Sequence, residues 1–186
     1  MGRNRFTACQ IRQIFSWLLL LGAIVLAILL GLGILNPSPA TAAIRNLEEA
    51  PGQVVYQSRQ TLKDQHGNPW QTVAFKRIRP NGQTSFELRL VGFPGVAALD
   101  RSQPLTLTNS LGTRLTAADV SRAIFADTAQ SEVHIGQYDL QPLLPQLQPE
   151  IPLKLSFPTL SGETISLSIS PLLVEEWLTV ANSSWQ

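Results

Sequence analysis

The sequence predicts an α+β domain built on a mainly antiparallel β-sheet, either open or closed into a barrel, with a short central helix and a C-terminal amphipathic helix. Three observations carry that prediction. Apolar and polar residues alternate with period two over several short runs. Two pairs of these runs are separated by turn formers at hairpin spacing. Helix-start signals follow each hairpin, at Thr116 and at Ser170.

The elements follow in chain order. Gln53 to Leu62 places Val54, Tyr56 and Leu62 on one parity, with Ser58 and Gln60 between them, as expected of a half-covered strand. It ends in the turn cluster Asp64-Gln65-His66-Gly67-Asn68-Pro69. Trp70 to Arg79 and Thr84 to Phe93 flank Pro80-Asn81-Gly82. A two-residue type I′ turn at Asn81-Gly82 would pair Val73 with Leu90, Phe75 with Leu88, Arg77 with Phe86 and Lys76 with Glu87. Leu105 to Thr108 reads as a short strand, and Thr116 to Phe125 as a short helix opened by a capping-box-like Thr116-x-x-Asp119.

Glu132 to Tyr138 alternates again, with Val133, Ile135 and Gln137 opposite His134 and Tyr138. Pro142, Pro145 and Pro149 keep Asp139 to Glu150 irregular or one-turn helical. The runs Ile151–Phe157 and Ile165–Ile169 match only through a three-residue loop, Leu160-Ser161-Gly162. That register sets Phe157 opposite Ile165, Leu155 opposite Leu167 and Leu153 opposite Ile169, with Gly162 in a left-handed bulge position. Ser170-Pro171 then opens a helix with Leu173, Trp177 and Val180 on one face.

The N-terminus is of a different kind. Arg3, Arg5 and Arg12 precede an apolar run from Ile14 to Leu35, then Asn36-Pro37-Ser38-Pro39 and Ala40-Thr41-Ala42. A basic region, an apolar region and a small-x-small site are the parts of a signal peptide. Cleavage after Ala42 would leave Ala43–Gln186 as one β-rich exported domain. From Trp17 to Leu35 the run has 19 residues, close to the roughly 20 that span a bilayer. Residues 1–42 are therefore a signal peptide or an N-terminal membrane anchor. Positive-inside bias exports the domain in both cases.

Composition removes several function classes. The 14 basic and 13 acidic side chains become a small acidic excess once the three leading arginines are set aside, which argues against nucleic acid. Cys9, the sole cysteine, precedes the apolar run, so it is neither a lipid-attachment site nor a disulfide partner in the exported part. His66 and His134 lack companions at metal-ligand spacing. No nucleophile elbow or phosphate loop occurs, and the adjacent Glu175 and Glu176 diverge by about 100° on a helix. No metal, cofactor or catalytic residue is expected. The features left for an interaction patch are Arg59, Lys76, Arg77, Arg79 and Arg89, a basic strip across neighbouring strands, and Phe93 in the stiff turn Phe93-Pro94-Gly95.

Glu48-Glu49-Ala50-Pro51-Gly52-Gln53 leading to Tyr56-Gln57-Ser58, then Gly67-Asn68, Trp70-Gln71, Phe75-Lys76-Arg77 and Leu88 to Gly95 (LRLVGFPG), resemble an uncharacterised family of cyanobacterial exported proteins. That family is defined only as a domain of unknown function. The resemblance implies a periplasmic or thylakoid-lumenal address and carries no catalytic residue with it. Topology, size and the missing catalytic clusters point to a non-enzymatic accessory or binding protein, with its protein partner at a membrane complex, such as a photosynthetic one. The alternative is a carrier of a small apolar ligand inside a barrel-like cavity.

Overall fold

The computed structural model describes residues 16–24, 45–93, 95, 97–125 and 132–184. Residues 1–41 and 42–186 form two separate compact units. In the first, residues 16–24 are helical (α1). The rest of the 14–35 run and the cleavage site expected after Ala42 lie outside the described residues. No helix among the described residues is long and apolar enough to cross a membrane.

In the second unit the alternating runs become strands of two antiparallel sheets. β1 (Arg45–Ala50), β2 (Gln53–Lys63), β3 (Pro69–Ile78), β4 (Thr84–Gly92) and β7 (Ile135–Asp139) form a five-stranded sheet in that order. β5 (Leu105–Asn109), β6 (Arg114–Ala117), β8 (Leu153–Pro158) and β9 (Thr164–Ile169) form a four-stranded sheet ordered β6-β5-β8-β9. Helix α2 (Pro171–Asn182) packs on β2 and β3. Single bridges, Asp64 to Leu167 and Asp119 to Tyr138, join the sheets where a ladder would close a barrel. The result is two sheets enclosing one core, not a closed barrel.

That core is filled by side chains from every layer. Trp70, Phe86, Leu88 and Leu90 come from the five-stranded sheet; Leu105, Leu107, Leu155, Phe157 and Leu167 come from the other; Val174, Trp177 and Val180 come from α2. Trp70 meets Phe157 edge-on at 5.0 Å between ring centroids, an arrangement that favours the ring quadrupoles. Gly92 lies directly against the Trp70 ring: a Cβ there would stand 2.9 Å from two ring carbons. Gly92→Ala is therefore expected to cost about 1–3 kcal/mol through overpacking. Thermal denaturation of the variant should show a lowered midpoint, and an unchanged one would mean that the ring has room to move.

The C-terminal elements form as their sequence signals dictate. β8 and β9 pair Phe157 with Ile165, Leu155 with Leu167 and Leu153 with Ile169, the expected register, and Gly162 takes a φ of +84° in the turn. Ser170 Oγ accepts a hydrogen bond from the Leu173 amide, capping α2, and Pro171 occupies its first turn. Gln141–Gln146 is a short 3-10 helix, within the segment that the prolines keep irregular or one-turn helical.

Three expectations need correction. The first hairpin is shifted by one residue: Phe75 faces Glu87, Val73 faces Arg89, Arg77 faces Ser85 and Lys76 faces Phe86. Pro80 is the cause. A two-residue loop needs the residue before Asn81 to donate its amide hydrogen to Gln83, and proline has none. The chain instead closes at Arg79, whose amide donates to the Gln83 carbonyl at 2.9 Å, and only Gly82 has positive φ (+79°). Slipping a register by one residue exchanges the faces of a strand pair. Trp70, Thr72 and Ala74 thus line the core side, while Val73, Phe75 and Arg77 point out of the opposite face.

The central helix, expected over 116–125, is reduced to a 3-10 turn at Ser121–Ala123. Thr116 and Ala117 belong to β6, where they pair with Thr106 and Leu105. The Asp119 carboxylate instead forms a local turn, accepting hydrogen bonds from the Ser121 amide and hydroxyl. In β7 the core parity is that of Gly136 and Tyr138, and Gln137 faces the other way.

Candidate functional site: the arginine-rich face of the five-stranded sheet

The one-residue shift creates the face of interest. Val55, Gln57 and Arg59 on β2, Gln71, Val73, Phe75 and Arg77 on β3, and Arg89 and Val91 on β4 line a shallow depression of about 120 Å³. Val55, Val73 and Phe75 form a small apolar cluster apart from the main core, and Phe75 is only 4% exposed. Pairing explains the adjacency. Arg59 lies opposite Val73 on one side and Arg89 lies opposite Val73 on the other, so two guanidiniums flank one valine across three strands.

Phe75 sits between cations. The guanidinium carbons of Arg77 and Arg89 lie 5.2 and 5.3 Å from its ring centroid, inside the range in which the ring's negative face attracts a cation. Arg89 is held in place by Gln137, whose Oε1 accepts from Nε at 3.0 Å and from the terminal nitrogen at 2.8 Å. Gln137, itself 1% exposed, donates its amide hydrogen to Glu87 Oε2. Arg89, Gln137 and Glu87 therefore form a chain of hydrogen bonds along the face, in which the amide carries orientation from a buried carboxylate to a cation.

Of the six residues expected in the patch, the fold brings three together: Arg59, Arg77 and Arg89. Lys76 is on the opposite side of β3, where its Nζ donates to the carbonyls of Ala181 at 2.7 Å and Ser183 at 2.8 Å. It thereby satisfies carbonyls at the C-terminal end of α2. Burial pulls its pKa below the usual lysine value. Arg79 is at the hairpin turn, and Phe93, 53% exposed, lies just past the other end of β4. Phe75, Gln57, Gln71, Glu87 and Gln137 were not singled out. The signal that could have found them is Pro80, which excludes the two-residue loop and turns Phe75 towards the arginines.

The histidines stand apart from this face. His66 Nε2 is 2.6 Å from Glu163 Oε1, with both side chains half exposed, and His134 Nε2 is 3.4 Å from Glu132. Among the described residues no three His, Cys, Asp or Glu side chains gather as metal ligands would.

No curated protein and no solved structure matches the chain. A family model described as "Protein of unknown function (DUF3122)" matches residues 42–180. The chain thus belongs to that family, and the match covers the whole of both sheets and nearly all of α2.

Proposed function

We propose that this protein is a non-enzymatic accessory protein, exported across a membrane, that docks a protein partner through the outer face of its five-stranded sheet. The observation that carries this reading is Phe75 set between Arg77 and Arg89, with Arg59 and a depression beside it. An apolar floor rimmed by guanidiniums matches the composition of interface centres, which are enriched in aromatic residues and arginine. The groups that line this face among the described residues are guanidiniums and amides, with the Glu87 carboxylate held by an amide. They suit recognition better than bond breaking, since no activated nucleophile stands among them. The apolar-ligand alternative would need the interior space that Trp70, Phe86, Phe157 and Trp177 occupy.

Export is supported by the arginines ahead of the 14–35 run and by Ala40-Thr41-Ala42 behind it. The resemblance to cyanobacterial exported proteins supports a periplasmic or thylakoid-lumenal address at a membrane complex.

A photo-crosslinking amino acid at Gln71, expressed in the native host, tests the docking face. One discrete adduct is expected, and it should disappear in the Arg59→Glu/Arg77→Glu variant. An adduct pattern that the charge reversal leaves intact would overturn the docking reading. A reporter fused behind Gln186 and active only in the cytosol would overturn the export reading.

A further inference from the structure

We infer that the outer face of the four-stranded sheet is a binding surface for a linear polysaccharide that carries carboxylate groups. Its strands alternate cleanly. Leu105, Leu107, Leu155, Phe157, Ile165 and Leu167 are buried, and the residues between them face outward. Those outward residues are mostly hydroxylated or cationic. Arg114, Thr116, Lys154 and Ser168 are exposed, and the more central Thr106, Thr108, Ser156 and Ser166 are partly so.

Register gathers these side chains into two rows. Thr106 pairs with Thr116 on one side and Ser156 on the other, and Ser156 pairs with Ser166, so hydroxyls line up across all four strands. At about 4.8 Å between neighbouring strands, that row is roughly 14 Å long, the reach of a short oligosaccharide. The next row is Arg114, Thr108, Lys154 and Ser168, in which two cationic residues flank one threonine. Among the described residues no hydrogen bond or ion pair engages the side chains of either row.

The chemistry of the face selects the occupant. None of the four strands contains Asp or Glu, so Arg114 and Lys154 complement carboxylates brought by a partner. A hydroxyl both donates and accepts, which suits the hydroxyls of a sugar ring and lets every strand contribute a contact. A protein partner would seek aromatic and apolar anchors, and Pro158 is the sole apolar side chain at the outward positions of these strands. Single-stranded nucleic acid would need rings to stack on, and those positions hold none. An anionic lipid surface is held by larger clusters of basic residues than Arg114 and Lys154 provide.

The test is calorimetric titration of the full chain, held in a zwitterionic detergent free of sugar. The probes are hexagalacturonate, its fully methyl-esterified form and hexaglutamate. Saturable binding is expected with hexagalacturonate. The ester keeps the hydroxyls but forfeits the charge-assisted contacts, and should bind about tenfold more weakly. Hexaglutamate keeps the carboxylates but has no hydroxyls, and should also bind about tenfold more weakly. Arg114→Gln/Lys154→Gln should weaken hexagalacturonate binding about tenfold and bring it level with the ester. Thr106→Val/Ser156→Ala removes hydroxyls at the centre of the row, and should weaken both sugars about fivefold while leaving their ratio unchanged.

Absence of saturable heat with hexagalacturonate would overturn the inference. Hexaglutamate binding as tight as hexagalacturonate, or tighter, would overturn it in favour of an acidic peptide. Hexagalacturonate binding that both double variants leave intact would place the sugar elsewhere on the molecule and overturn the assignment to this face. Circular dichroism checks that each variant keeps the unfolding midpoint of the parent chain. The single variant Lys154→Gln, at an exposed position, keeps the test decisive if a double variant fails to fold, with an expected loss of about threefold.

Discussion

Trp70→Ala is expected to lower the unfolding free energy by about 3–5 kcal/mol, the usual cost of deleting a fully buried aromatic side chain. Trp70 has no exposed surface, and its ring joins the two sheets through Phe157 on the facing strand. Gly92 is compact enough to leave the ring its place. Nothing adjoining can collapse into the space without pulling β3 away from β8, so most of the cavity should persist. Against a total domain stability of about 5–15 kcal/mol the loss is large. Urea denaturation followed by circular dichroism should show the midpoint falling with its slope unchanged. A loss under about 1 kcal/mol would mean that the layers close over the gap. Trp70→Phe separates packing from polarity: it retains most of the ring but leaves Asp64 Oδ2 without the indole N–H that reaches it at 3.1 Å.

The two hairpins show what sequence reading can and cannot reach. At Leu160-Ser161-Gly162 the hydrophobic pattern and the turn chemistry agree: only the three-residue loop sets apolar residues face to face, and Gly162 supplies the left-handed position. At Pro80-Asn81-Gly82 they also agree, but on a register that the fold does not adopt. Asn-Gly favours a two-residue turn, and that register also matched apolar to apolar and Lys76 to Glu87. The pattern misled because β3 carries apolar residues on both faces: Trp70 and Ala74 on one, Val73 and Phe75 on the other. Alternation specifies register only where one face is polar. Pro80 was the deciding residue, through a missing donor rather than through hydropathy.

The same shift explains why the basic strip was only half legible. Arg59, Arg77 and Arg89 share a face in the observed register, whereas Lys76 crosses to the core side and binds the end of α2. β1 and β6 went unread for another reason. Both are short, and each has its hydrogen bonds satisfied by one neighbour, β2 or β5, so tertiary pairing outweighs weak local preference. For Thr116-Ala117 that pairing prevailed over the helix-start signal.

Asp64→Ala is expected to cost about 2–4 kcal/mol at neutral pH, because one carboxylate serves four donors and a buried indole would be orphaned. Oδ1 accepts from the backbone amides of His66 at 2.8 Å and Asn68 at 2.9 Å, and Oδ2 accepts from Asn68 Nδ2 at 3.2 Å and Trp70 Nε1 at 3.1 Å. This turn also positions Gln65, which bonds the Thr164 carbonyl and the Ser166 amide of β9. One carboxylate therefore organises both the β2–β3 turn and its seam with the second sheet.

Burial alone would raise the Asp64 pKa, but the hydrogen bonds from Trp70, Asn68 and His66 outweigh it and hold the carboxyl below its ordinary 3.8. A folded pKa below the unfolded one stabilises the fold fully above the unfolded value. That contribution is lost as pH falls through the folded value, once the proton binds in both states. The gap in stability between wild type and Asp64→Ala should thus hold steady from pH 7 to about pH 5 and narrow below 3.8. Asp64→Asn keeps an acceptor at the Oδ1 position but cannot titrate, so it should lose less than alanine and show no such narrowing against alanine. If the wild-type and alanine curves instead ran parallel down to pH 2, the carboxylate's charge would contribute nothing to this turn, and the hydrogen bonds would act through geometry alone.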